Sequence, residues 1–278
     1  MKTALDTNTF KEIRDLIYKE SGIFFPDTKK YYLEMKLSQR LKELGLKSFE
    51  EYYFYLKYDS GRYREMQKLF EIVTIGETYF FREEPQNEAF KDEILPEIMK
   101  RNEREKKIRI WSAGCATGEE PYTIAILVNE KMGNEIKFWD VKILATDINR
   151  TALEKAKKGI YKSDSLRFTL DYYKRTYFLR HENGFFEVRP DIRRLVDFKY
   201  LNLNDKIAIQ LIEKQDVIFC RNVLIYFDLN SKREVVRKFY EKLKPGGYLL
   251  LGHAESLHDV TRAFKLVFFK KAFGYKKE

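Results

Sequence analysis

Lys107-Ile108-Arg109-Ile110-Trp111-Ser112-Ala113-Gly114-Cys115-Ala116-Thr117-Gly118-Glu119-Glu120-Pro121-Tyr122-Thr123-Ile124-Ala125-Ile126 is the stretch that decides how this chain folds. Ile108, Ile110 and Trp111 favour a strand, and Ser112 to Thr117 make a turn of small residues. Pro121 suits the first turn of a helix, where its missing N–H costs nothing. Helical apolar spacing follows through Ile124, Ala125, Leu127 and Val128. A strand feeding a glycine turn that opens a helix is how doubly wound α/β sheets bring backbone close to a nucleotide-like ligand.

The turn narrows the ligand. It lacks the full G-x-G-x-x-G dinucleotide fingerprint, and no G-x-x-x-x-G-K-[ST] phosphate loop occurs in the chain. Glu119 and Glu120 stand where a pyrophosphate needs a positive helix N-terminus, so the site repels phosphate and suits a cation. S-adenosylmethionine fits, with an adenosine part, an ammonium group and no phosphate. On the alternative reading the two acids only complement the helix dipole.

The 278 residues can hold one large or two modest domains with real cores. No apolar run approaches the length of a membrane span, and Met1-Lys2-Thr3-Ala4-Leu5-Asp6 turns acidic too early for a signal peptide. A soluble, cytoplasmic protein is expected. Cys115 and Cys220 are the only cysteines and form no C-x-x-C pair, while His181, His253 and His258 are scattered. Neither a structural disulfide nor a metal site is expected. The net charge of +10 favours an acidic partner, nucleic acid or an acidic protein surface, although a solvated mixed-charge surface explains it as well.

Residues 1–75 read as an all-helical domain. Phe10, Ile13, Leu16 and Ile17 repeat at helical spacing behind Asn8 or Thr9 as N-cap, and Gly22 and Pro26 end the element. A second helix runs from about Thr28 to Leu44, with Leu33, Leu37, Leu41 and Leu44 as its apolar stripe. Around it Lys29, Lys30, Lys36, Arg40, Lys42 and Lys47 outnumber Glu34 and Glu43. At about 100° per residue Lys29, Lys36 and Arg40 fall on one line, which marks them as candidate substrate-docking residues. Two short aromatic helices follow, around 49–57 and 64–73. Residues 76–105 read as a linker and a helix from about Pro85 to Arg101. The junction Thr74-Ile75-Gly76-Glu77-Thr78-Tyr79-Phe80-Phe81-Arg82-Glu83 has the aromatic density of a buried inter-domain seam, with Thr78 and Arg82 as polar members able to face a ligand.

From 106 to 278 the pattern alternates between strand and helix. Val141–Ala145 ends in Thr146-Asp147-Ile148-Asn149, so Asp147 either accepts hydrogen bonds from both ribose hydroxyls or caps the helix at 152–157. Residues from about 160 to 197 interrupt the alternation with a small antiparallel β subdomain, whose hairpin signal is His181-Glu182-Asn183-Gly184 between two alternating runs. Strands at 196–200 and 216–220 follow. The second is continuously apolar, as a central parallel strand should be, and delivers Arg221-Asn222-Val223-Leu224-Ile225-Tyr226-Phe227 to the C-terminal edge of the sheet. A helix at 231–243, a strand at 248–251 and a final antiparallel pair through 264–275 complete about seven strands in a mostly parallel, doubly wound sheet.

Assembled in this order, the motifs resemble the CheR family, the chemotaxis receptor methyltransferases, over nearly the whole chain. The resemblance rests on Thr78-Tyr79-Phe80-Phe81-Arg82, on Trp111-Ser112-Ala113 through Gly118-Glu119-Glu120-Pro121-Tyr122, on Ala145-Thr146-Asp147 and Asn202-Leu203, on Cys220-Arg221-Asn222-Val223-Leu224-Ile225-Tyr226-Phe227, and more weakly on Leu243-Lys244-Pro245-Gly246-Gly247. It implies methylation of glutamate side chains on the cytoplasmic helices of chemotaxis receptors, with S-adenosyl-L-methionine as donor and S-adenosyl-L-homocysteine as product. Carried over position by position, the cofactor contacts fall on Thr78, Arg82, Glu120, Asp147, Asn202, Leu203, Arg221 and Asn222, and Gly114 of the turn joins that set. One position departs from the pattern: Gly76 stands where the family usually has asparagine.

Such chemistry needs no catalytic triad, because a carboxylate is already anionic and has only to be held in line with water excluded. Arg82 is the candidate to orient it and Tyr226 the candidate to shape its pocket. A methyltransferase acting on nucleic acid is the rival reading, but Asn222-Val223-Leu224-Ile225-Tyr226 lacks the proline pair of DNA amino-methylating enzymes, so no nucleic-acid partner is expected. An inactive cofactor-binding scaffold is the other rival, with Gly76 alone in its favour. The short hairpin turn leaves little backbone for gripping a receptor's C-terminal peptide, so independence of such a tether is expected; a monomer is expected as well.

Overall fold

The computed structural model describes residues 4–74 and 76–278; Met1, Lys2, Thr3 and Ile75, with what the sequence suggests for them, lie outside the described residues. Helices α1 (Thr7–Ser21), α2 (Lys30–Leu44), α3 (Phe49–Tyr58) and α4 (Arg62–Val73) come first. Their apolar stripes meet in a core of Phe10, Ile13, Ile17, Leu33, Leu37, Tyr52 and Leu69. The cap of α1 differs from expectation. Asp6 accepts from the Asn8 and Thr9 amides at 2.9 and 3.0 Å, while Asn8 and Thr9 already lie inside the first turn. An anion just before the first helical residue reaches both free N–H groups and complements the helix dipole.

Arg40 also departs from its expected place. Its guanidinium turns inward and grips the buried Glu65 of α4 through two bonds of 2.9 and 2.6 Å, with Glu43 at 2.9 Å and the Tyr52 hydroxyl donating to the same Glu65 carboxylate. A buried carboxylate without a cation is costly, so the nearest arginine is recruited into the fold and leaves the docking line. Lys29 and Lys36 instead flank the ring of Tyr32, 5.9 and 5.6 Å from its centroid.

Beyond the junction, α5 (Glu84–Ala89), a π-turn at Phe90–Ile94 and α6 (Leu95–Arg101) run on as one helix. Strand β1 (Lys107–Ala113) then opens the alternation with α7 (Glu119–Met132), β2 (Asp140–Asp147) and α8 (Arg150–Lys158). The insert holds β3 (Ile160–Tyr161), α9 (Asp171–Tyr177), β4 (Phe178–Arg180), β5 (Phe186–Val188) and α10 (Pro190–Arg193). The main sheet resumes with β6 (Val196–Tyr200), α11 (Lys206–Gln210), β7 (Gln215–Cys220), α12 (Leu229–Lys242), β8 (Leu243–Leu251), β9 (Lys265–Phe268) and β10 (Phe273–Lys276).

Seven strands lie in the order β6-β2-β1-β7-β8-β10-β9, parallel from β6 to β8, with β10 antiparallel to both β8 and β9. The insert forms a separate antiparallel sheet, β3-β5-β4. One face of the main sheet packs on α7 and the helix before it, through Ile94, Ile98, Ile124 and Val128. The other packs on α12 through Val235, Val236 and Phe239 against Trp111, Ile218 and Leu249. Strands covered on both faces carry the continuous apolar runs seen in β1 and β7.

The aromatic junction is buried at Phe80 and half-buried at Tyr79 and Phe81, against another partner than expected. Phe80 stands edge-on to Tyr161 and Phe178, Phe81 stacks on Tyr173 and Tyr79 leans on Phe168, so the seam is made with the insert and not with the helical domain. The helical domain meets the sheet elsewhere. Phe24 N–H donates to the Tyr226 carbonyl, and Asn202 and Asn204 donate to the carbonyls of Glu20 and Lys19, at 2.7–3.0 Å.

These placements predict opposite behaviour for two neighbouring charges. Arg40→Glu sets two carboxylates against each other and should lower stability by about 3 kcal/mol in urea unfolding, with Arg40's partial exposure keeping the loss at the low end for a buried pair. Lys36→Glu should stay within about 0.5 kcal/mol of the parent.

Candidate active site

The site is built where β1 and β2 end. The Gly114 and Cys115 amides both donate to the Thr146 carbonyl, so the turn after β1 is clasped to the end of β2. Gly114 has φ +85°, and a Cβ there would meet the Val223 side chain at 2.4 Å, so no other residue fits. Asp147 lies across the opening. Its Oδ2 accepts from Ala116 N–H and its Oδ1 from Asn149 N–H, each at 2.8 Å. Asn149 accepts from Ala152 N–H and is the N-cap of α8, so the capping role offered for Asp147 belongs to Asn149. Each Asp147 oxygen keeps a second acceptor site. Burial raises its carboxyl above the ordinary value against the pull of the backbone amides.

The two acids that open α7 point in different directions. Glu119 is buried and turns toward the insert, accepting from Thr117 Oγ1 at 2.7 Å and Ser165 Oγ at 3.1 Å, and its carboxyl is raised by burial. Glu120 turns into the site, where Ser112 Oγ donates to Oε1 at 2.7 Å and Arg221 Nε donates to Oε2 at 2.6 Å. Of the two acids expected together to repel phosphate and suit a cation, one faces away and the other is paired with an arginine. Arg221 also donates to the Arg82 carbonyl and Asn87 Oδ1, both at 3.2 Å.

Asn222, the next residue, adopts φ +59° and lines the cavity. Its Oδ1 is buried with no hydrogen-bond partner among the described residues. The segment then closes through a single 3₁₀ turn at Leu224–Tyr226, and Ile23 bridges Phe227 from the helical domain. Tyr226 lies beside the core of that domain. Burial pushes its phenol up, and the nearby Arg82 charge opposes the shift. Arg82 itself donates to the Glu77 carbonyl at 3.0 Å and lies 5.7 Å from the Tyr79 ring centroid.

A cavity of about 290 Å³ results, and Thr78, Arg82, Gly114, Glu120, Asp147, Asn202, Leu203, Arg221, Asn222 and Tyr226 all line it. Lys29, Lys36 and Arg40 lie outside that wall. Gly76 is also on the wall, and a Cβ there would meet nothing nearer than Ala116 Cβ at 3.6 Å, so packing does not demand glycine. Sequence reasoning missed Ser112, which orients Glu120, and Glu255, which ties the Asn222 turn. It missed the helical domain's share as well: Ser21 and Ile23 contribute to the same wall. Ser112 lies inside the central motif but its role appears only once its hydroxyl is seen on Glu120, whereas Glu255, Ser21 and Ile23 carry no local signal because they act on segments far along the chain. Among the described residues no cluster of three or more metal-ligating side chains occurs, and no helix is long and apolar enough to cross a membrane.

Comparison with known proteins places this geometry. Residues 76–273 match the SAM binding domain of CheR methyltransferases, and residues 8–74 match the all-alpha domain of the same family. The chain belongs to the CheR methyltransferase family. It is 39% identical to chemotaxis protein methyltransferase 2 of Vibrio cholerae over 96% of this chain and 92% of that protein. It is 38% identical to the chemotaxis protein methyltransferase of Borreliella burgdorferi, over 87% and 86% of the two chains. The Escherichia coli relative of the same name is 36% identical, over 95% and 90%.

As a CheR methyltransferase the chain uses S-adenosylmethionine, and its cavity fits that group. The buried Asn222 oxygen lacks a donor, as a site for an ammonium requires, and Asp147 offers two spare acceptor positions. A hydroxyl donor on Asp147 would favour the ionised carboxylate, so affinity for S-adenosylhomocysteine should be full above the raised carboxyl pKa and fall as pH drops through it. Asp147→Asn should weaken binding on the order of tenfold at neutral pH and abolish that acid-side dependence, as read by calorimetry across pH.

Proposed function

We propose that this chain methylates glutamate side chains on the cytoplasmic helices of chemotaxis receptors, giving methyl esters and S-adenosylhomocysteine. The observation that carries the reading is one cavity lined both by the acceptors Glu120, Asp147 and Asn222 and by Arg82 and Tyr226. S-adenosylmethionine, when bound, supplies a methyl group on a sulfonium that carries its own leaving group. Asp147 holds the ribose, Asn222 and Glu120 receive the ammonium, and Thr78, Gly114, Asn202, Leu203 and Arg221 complete the cofactor wall. Arg82 orients the acceptor carboxylate. One of its donors already serves the Glu77 carbonyl, which suits partial engagement and spares the nucleophile from a blunting bidentate pair. Tyr226, protonated at neutral pH, shapes the acceptor pocket.

The helical domain, residues 1–75, docks the substrate, residues 76–105 link it, and residues 106–278 carry the chemistry with an insert at about 160–197. Lys29 and Lys36 remain as the docking cations, beside the exposed Tyr31 and Met35 on α2. Label from the cofactor should appear on receptor cytoplasmic fragments, at glutamates and in base-labile form, and not on duplex DNA. Label on DNA, or none on receptor, rejects the reading. In the same assay Lys36→Glu should raise the receptor KM, more at low salt, and leave S-adenosylhomocysteine affinity unchanged.

We also propose a monomer that works without a receptor tether. Strands β4 and β5 are three residues each, and only five residues separate them, closed by His181 N–H donating to the Phe185 carbonyl at 2.8 Å. Hairpins this small offer little backbone for an added peptide strand. Removing the receptor's last residues should change the methylation rate by less than about twofold. Micromolar binding of the isolated C-terminal peptide would contradict this.

A further inference from the structure

Glu255 lies outside every motif discussed above, yet its carboxylate holds the turn on which the cavity depends. It is 6% exposed. Oε2 accepts from Asn222 N–H at 2.7 Å and from Gly252 N–H at 2.8 Å, and Oε1 accepts from Ile225 N–H at 3.2 Å. Three backbone donors from the ends of β7 and β8 thus converge on one anion, a concave arrangement of amides that a carboxylate satisfies and an apolar side chain leaves bare. The clasp is tight on every side. A Cβ at Gly252 would lie 2.9 Å from Glu255 Oε2, from Asn222 N and from Asn222 Nδ2.

The residue so held is unusual in its backbone. Asn222 sits at φ +59°, where an L-residue persists only when its surroundings fix it, and its amide oxygen is buried without a donor. Four residues on, Tyr226 lines the same cavity and gives its carbonyl to Phe24 of the helical domain. We propose that Glu255 is a positioning residue: its carboxylate fixes the left-handed turn at Asn222, and through it the Asn222 amide and the Tyr226 ring in the cavity wall. Glu255 is not part of the cavity wall and acts through those two side chains. The activity arm of the test rests on the methyltransferase reading; the binding arm does not.

The near-isosteric Glu255→Gln presents an NH₂ to at least one backbone donor and loses the charge that draws the three together. S-adenosylhomocysteine affinity should fall about tenfold by calorimetry, and kcat on receptor fragments should fall at least as much. Because the effect passes through Asn222, Glu255→Gln should cost less than about twofold more in an Asn222→Ala background, and its full tenfold in an Asp147→Asn background. Equal costs in both backgrounds, or affinity kept in the single variant, would overturn the proposal. Should Glu255→Gln fail to fold, Gly252→Ala decides: it keeps the carboxylate and crowds the same clasp, and is expected to give the same pattern of additivity. Absence of methylation by the parent protein would remove the receptor assignment and leave the binding cycle to judge Glu255.

Discussion

The site depends on one buried ion pair. Glu120 begins the helix after the first strand and Arg221 follows the fourth parallel strand, and their side chains meet at 2.6 Å with almost no exposure on the arginine. Removing both charges from water is expensive, and the pair stands because its other valences are met: Ser112 donates to the carboxylate, and the Arg82 carbonyl and Asn87 accept from the guanidinium. Four pieces of chain are tied at one point: the end of β1, the start of α7, the end of β7 and the junction segment. The loops between them form the cavity.

Around that point the chain departs from ordinary backbone geometry. Phe81, Glu83, Ala116 and Asn222 all have positive φ without being glycine, and all lie within or next to the cavity wall. Such conformations cost of order 1–3 kcal/mol each, so packing must hold them. Phe81 is held by stacking on Tyr173, Asn222 by Glu255, and Ala116 by Asp147. The reward is direction. At Phe81–Glu83 the left-handed steps send Phe80 into the insert's aromatic core while Arg82 faces the cavity.

The two domains are joined at the site and not merely by the linker. The chain between α1 and α2 lays Ile23 and Phe24 against Tyr226 and Phe227, and Asn202 and Asn204 donate to the last carbonyls of α1. Part of the cavity wall is thus supplied by the helical domain. The helical domain and the sheet domain therefore share one cavity, and the proposed docking surface lies on the domain that helps to wall it.

The sequence by itself determined the alternation of strands and helices, the seven-stranded sheet and the residues that would gather at its C-terminal edge. It could do so because two-sided burial writes continuous apolar runs into central strands, helix burial writes a 3.6-residue repeat, and tight turns demand glycine. The ten residues that the family resemblance pointed to all line one cavity, most of them because they lie just beyond strand ends, where the topology brings them near one another. The directions of individual charges were decided only by the tertiary structure. Glu119 and Glu120 are adjacent and chemically alike, yet one faces the insert and the other Arg221, 101 residues away. Arg40 repeats at the spacing of a docking line, but a buried Glu65 25 residues on claims it. Glu255 has no local mark, since its partners are backbone amides, one of them 33 residues back. A buried charge goes where its counter-charge or donors are, and for these residues those partners are set by the packing of distant segments.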